Sequence, residues 1–179
     1  MQKETKQKII FLALSLALFI NFALMIELCP FAKIAVDGNP IHIMDGRYFY
    51  NYTFVMDTYS KLGIVGIKLY TNFHILDYFF LISYMLLMMS LTLLVIPKQL
   101  KRYAFIIPIF PALFDIIENT LIEIASASFP TINVGLAKAI SIMTPIKWGL
   151  GVVWFIIFLI LLVNKIISVI KLKKAVNIG

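Results

Sequence analysis

Four stretches of this chain stay apolar for long enough to cross a bilayer, and each is bounded by charge or by a turn signal. The first runs from about Ile9 to Leu28 behind a short basic segment. The second begins near Phe73 and ends at Ile96, stopped by Pro97 and the basic Lys98-Gln99-Leu100-Lys101-Arg102 turn. The third covers about Tyr103 to Ala127, and the fourth about Leu136 to Asn164 with Pro145 inside it. About 20 consecutive apolar residues is the length of a membrane-crossing helix. The pattern predicts an all-α fold, a four-helix transmembrane bundle, made by a single integral membrane domain spanning residues 1–179.

The connection from 30 to 71 is different in kind. Turn signals stand at Asp37-Gly38-Asn39-Pro40 and Asp45-Gly46. Aromatics crowd Tyr48 to Phe54, as where a chain rests at a membrane–water interface. Between Val55 and Gly66, helical spacing puts Val55, Met56, Tyr59, Leu62 and Gly63 on one side, with Asp57 and Lys61 on the other. That arrangement predicts a short interfacial helix before the second span. Asn51-Tyr52-Thr53 fits a glycosylation triplet, a pattern common by chance.

Composition agrees with the pattern. The chain is 61% hydrophobic and 14% charged, against about 45–50% and about 25% in soluble domains. Its net charge of +7 sits at the ends of apolar runs, on Lys3, Lys6 and Lys8, on Lys98, Lys101 and Arg102, and on Lys165, Lys171, Lys173 and Lys174. Flanking lysines orient helices and meet anionic headgroups; no basic folded domain exists to carry nucleic acid. With basic segments on the cytoplasmic side, four spans place both termini there, in a cell membrane. The basic tail is expected to continue as a helix along the headgroups.

The first apolar run is longer than a signal-peptide core and lacks an A-x-A-like cleavage site, so it reads as an uncleaved anchor. The single cysteine, Cys29, excludes an internal disulfide and a CxxC pair. It reads as a small residue at a helix end.

Candidate chemistry lies inside the third span. Asp115, Glu118, Asn119 and Ser126 share one side at spacings of three, four and seven, a stripe that Pro108, Pro111 and Glu123 extend. A charged group at a helix centre costs about 2.5–3.5 kcal/mol on insertion scales, so such groups do not face lipid. Asp115 lies about 18 Å in from Tyr103, and Lys147 about 16 Å in from Leu136. Antiparallel neighbours bring Lys147 to a level similar to Glu118. Asp77 begins a face of the second span that continues through Phe80, Leu81, Tyr84 and Met88. The expected ligand- or ion-binding set is therefore Asp77, Asp115, Glu118, Asn119 and Lys147, with Tyr84 and Trp148 lining a pocket. Gly149 and Gly151 beside Trp148 allow a close approach. The same charges also fit a network that fixes helix register, or an interface with charges on a partner chain.

Other chemistries lack their parts. His42 and His74 are the only histidines and have no ligand spacing, so no metal and no cofactor is expected. No nucleophile elbow, P-loop or GxGxxG occurs. Four spans without an internal repeat would need an oligomer to make a transporter of the usual build.

Several pieces resemble an uncharacterised family of small four-span membrane proteins found mainly in bacteria. They are Tyr59 to Gly66 with Tyr70, Leu76-Asp77-Tyr78-Phe79 with Tyr84, Phe114-Asp115-x-x-Glu118-Asn119, Pro130, and Lys147-Trp148. The resemblance covers most of the chain after Val55 and implies a four-helix fold without an established activity. Three functions stay open: an intramembrane polar site for a lipid, small molecule or proton; a non-catalytic accessory or immunity-type subunit; and a lipid-modifying enzyme. Membrane lipids are the expected partners, with a membrane-protein partner or homo-oligomer beside them.

Overall fold

The computed structural model describes residues 2–33, 35–36, 39–40, 44 and 47–176. The turns expected at Asp37-Gly38 and Asp45-Gly46, and His42, lie outside the described residues. The fold is an all-α four-helix bundle built from α1 (Gln2–Leu28), α2 (Tyr52–Val95), α3 (Lys101–Ile106), α4 (Ile109–Ser128) and α5 (Val134–Val176). α3 and α4 together make one crossing. A two-residue pairing of Ala35–Val36 with Asn39–Pro40 is a minor addition.

α2 shows how local chemistry sets the architecture. Asn51 caps its start, accepting the Phe54 amide at 2.9 Å on its side chain, so the asparagine of the glycosylation triplet closes a helix end. At Gly63 the backbone leaves the helix, with φ 58° and ψ −175°, a conformation open almost only to glycine. A short arm, 52–62, therefore precedes a long one, 64–95.

The helix expected over 55–66 is present up to this break, and residues 64–72 join the second span. Lys68 and Asn72 interrupt the apolar run without interrupting the helix. They are exposed, while Gly66, Tyr70, Phe73 and His74 on the other side are buried. Asp57 and Lys61 pair at 2.6 Å on the exposed face of the short arm. Its other face, Val55, Tyr59 and Leu62, is covered by protein. The Tyr59 hydroxyl donates to the Ile122 carbonyl at 2.9 Å and lies 3.1 Å from Ser126 Oγ. The largest buried cluster gathers here, joining the short arm to Tyr70, Phe73, Ile122 and Ile140.

The third crossing breaks between Ile106 and Ile109, where Pro108 has no amide hydrogen to give. Pro111 falls in the first turn of α4, where the missing donor would have had no partner. α5 runs unbroken through Pro145 and past the expected end of the fourth span near Asn164, and it carries the basic tail on as helix to Val176, as expected of that tail.

α1 packs on α2, α5 on α4, and α2 touches both α4 and α5. At the end of the bundle rich in lysine, three helices are tied together. Lys8 donates to the Leu93 carbonyl at 2.9 Å, and Lys165 donates to the Leu94 carbonyl. Both satisfy carbonyls that the end of α2 leaves unpaired, and their charge complements the negative pole of that helix. Glu4 pairs with Lys101 nearby, and Phe11, Tyr103 and Leu161 pack around Leu93, Ile96 and Ala104.

Four helices are long and apolar enough to cross a membrane, the build of a multi-pass membrane protein. The most apolar windows of α1 and α5 are only 6% and 0% buried inside the protein. Helices apolar all round and so little covered need hydrocarbon around them.

Candidate functional site

The polar residues of α4 recur at i, i+3 and i+4, so one face carries Asp115, Glu118 and Asn119 into the space between α2 and α5. All three are buried. From α5, Lys147 reaches Asp115 Oδ1 at 2.8 Å and Glu118 Oε2 at 2.5 Å, so one ammonium is shared by two carboxylates. Thr144, one turn earlier on the same face of α5, donates to Glu118 Oε1 and lies 3.1 Å from the Tyr50 hydroxyl. From α2, Tyr84 donates to Asp115 Oδ2 at 2.8 Å. Asp77 accepts from Asn119 Nδ2 at 2.6 Å. One turn further along α2, His74 Nδ1 lies 2.6 Å from Glu123 Oε1.

This network removes much of the cost of burying its members, because each carboxylate meets a donor. Exposure separates their roles. The Glu118 side chain is 0% exposed, whereas those of Lys147 and Asp115 keep 11% and 9%. The residual access leads into a cavity of about 520 Å³ lined by Asp77, Tyr84, Asp115, Lys147 and Trp148. Of the residues expected at the site, Glu118 and Asn119 stand behind this wall: they hold the lining residues and do not line the cavity themselves.

The rest of the lining is apolar. Phe80 and Met88 of α2, Pro111 of α4, Phe19 of α1, and Gly151, Val152, Trp154 and Phe155 of α5 complete it. Trp154 is fixed by its indole N–H, which donates to Thr92 Oγ1 at 3.0 Å. A Cβ built on Gly151 meets nothing within 4 Å, so the glycine leaves this space open. Trp148, Val152 and Phe155 are about half exposed, at 47%, 57% and 50%, so the cavity is open on the flank that α5 forms. Tyr48 stands beside the mouth, its ring 5.8 Å from that of Trp148.

The cavity is graded along its length. Asp77, Asp115 and Lys147 occupy one end, and Met88, Trp154 and Phe155 the other. On α2 the two ends are about 16 Å apart by helical rise. Helical spacing explains what a reading of single motifs misses. Thr144 and Phe155 lie at −3 and +8 from Lys147, on the same face. Phe19 carries no such signal, because it enters from a helix with no charged partner in the network. Asn21 and Glu27, the polar groups of the first span, are exposed and lie outside the site.

Comparison with protein-family models, with curated proteins and with solved structures finds no match to this chain.

Proposed function

We propose that this multi-pass membrane protein binds a membrane amphiphile in the cavity bounded by Asp77, Asp115 and Lys147. The observation that carries the reading is the coincidence of a sideways opening with graded walls. A ligand in lipid enters through the flank of a bundle, and a graded cavity receives a polar head at one end and a hydrocarbon tail at the other.

Position in the bilayer supports the same reading. Lys8, Leu93, Leu94 and Lys165 share one level, and the basic residues there mark the cytoplasmic side, with both termini on it. From Lys165 to Lys147, and from Leu94 to Asp77, the helices rise about 26 Å. The hydrocarbon core is about 30 Å thick. The polar end thus lies near the outer boundary and the apolar end points toward the midplane. A lipid of the outer leaflet already has this orientation and enters without turning over. The short arm of α2 and the buried cluster around Tyr59 stand further out, as a cap.

Gly151→Leu tests the reading directly. The new side chain fills the open space, while replacing a helix glycine favours the helix by up to about 1 kcal/mol. The protein purified in mild detergent should retain extractable amphiphile detectable by mass spectrometry, and G151L should lose it while folding normally. Equal lipid content in both proteins would overturn the proposal.

A further inference from the structure

The seam between α2 and α5 continues past the apolar end of the cavity. A second hollow of about 450 Å³ lies nearer the lysine-rich end of the bundle, with Leu91, Leu94 and Val95 of α2 and Phe158, Leu162 and Ile166 of α5 in its walls. On α2, Met88 borders the cavity and Leu91 the hollow, one turn apart. On α5, Phe155 and Phe158 follow each other in the same way. The two spaces are neighbours along one seam.

A pair of rings parts them. Trp154 and Phe158 stack with centroids 5.6 Å apart and planes 14° from parallel. Trp154 lines the cavity and Phe158 the hollow beyond, so each space meets one ring of the pair. The bond from the Trp154 indole N–H to Thr92 Oγ1 crosses the seam from α5 to α2. Thr92 is buried, and its own hydroxyl donates to the Met88 carbonyl at 2.8 Å, which fixes the direction in which it accepts. The indole is thus held at its edge by a hydrogen bond and on its face by a second ring, and turning it aside gives up both contacts.

We propose that the Trp154–Phe158 pair is the floor of the amphiphile site and sets the length of tail it accepts. This rests on the site proposed above and names the class of tail. By helical rise the floor lies about 10 Å along α5 from Lys147, whereas half of the hydrocarbon core is about 15 Å deep. A tail whose head sits at Asp115 and Lys147 meets the floor within that depth, so the site favours a tail too short to fill a leaflet. A longer tail has to bend out through the open flank or push the rings apart. Lipid already surrounds the protein with hydrocarbon, so burial alone gives the extra carbons no advantage. Packing decides, and packing stops at the floor.

The test uses the full chain purified in mild detergent and offered an equimolar mixture of monoacylglycerols with octanoyl, dodecanoyl, hexadecanoyl and eicosanoyl tails. Mass spectrometry counts the tails retained after washing. Each count is expressed over that of G151L treated in parallel, which supplies the background of loosely held lipid. The unaltered protein should hold dodecanoyl over eicosanoyl by at least about tenfold, a difference of about 1.4 kcal/mol. Trp154→Ala should abolish this preference by joining the two spaces. Thr92→Val, which keeps the side-chain volume and removes the hydroxyl that holds the indole, should weaken it several-fold, and it decides alone if Trp154→Ala does not fold. Eicosanoyl held as readily as dodecanoyl by the unaltered protein, or a preference that neither variant changes, would overturn the floor and leave the amphiphile site standing. Retention at the G151L level for every tail would overturn the site, and this inference with it.

Discussion

Lys147 is the residue on which the buried network depends, because two carboxylates have it as their shared counter-charge. Lys147→Met should lower stability by about 3–5 kcal/mol, the cost of leaving buried charge unpaired. Thermal unfolding in detergent checks this. Adding Asp115→Asn and Glu118→Gln to the same chain should recover most of the loss, since neutral groups no longer need the ammonium. If the triple variant is as unstable as Lys147→Met, the loss comes from packing around the lysine stem. The pairing was legible before any coordinates, from the spacing within α4 and the antiparallel depth of Lys147. Thr144 and Tyr50 were not, because hydroxyl groups are too common along the chain to single out a partner across 26 or more residues.

At the scale of the element, the two arms of α2 depend on a single backbone conformation. Gly63→Ala should destabilise the protein by about 1–3 kcal/mol, although a Cβ there meets no neighbour, because the strain lies in φ and ψ. Gly149→Ala, also free of neighbours but inside α5, should stabilise by up to about 1 kcal/mol through helix propensity. One substitution type with opposite signs separates backbone strain from contact, and equal shifts in unfolding midpoint would refute the account. The boundaries of these elements were harder to read than their existence. Apolar periodicity follows where a helix is buried, and so it loses residues 67–72, where exposed Lys68 and Asn72 ride on intact helix. The spacing of Val55, Met56, Tyr59, Leu62 and Gly63 suggested a short interfacial helix over 55–66. Its apolar face is covered by protein, with Tyr59 bonded to Ile122 and Ser126 of α4, a contact between residues far apart in sequence that the spacing does not show.

For the whole molecule, the proposed topology predicts which surfaces meet which compartment. Cys29 is the one cysteine and is buried, so new cysteines can be introduced over a low background. Ile64→Cys, at the tip of the cap and 89% exposed, should react with a membrane-impermeant maleimide on intact cells. Lys171→Cys should react only after the membrane is opened. The reverse result would invert the orientation and move the polar end to the inner leaflet. The four-helix architecture could be read from length and hydropathy, and five residues lining the cavity were named from spacing. The extent of the expected pocket could not, because its volume depends on how α1 leans against α2 through Phe19 and Phe80, whose rings lie 5.3 Å apart.

The lysines that hold the last carbonyls of α2 make one pole of the molecule a clasp. With Lys8 and Lys165 fastening α1 and α5 to the same helix end, those two helices can part only as the blades of a fan do, least at the fastening and most at its far side. In the proposed topology, a guest would then be admitted from the outer leaflet, while the seam facing the cytoplasm stays shut.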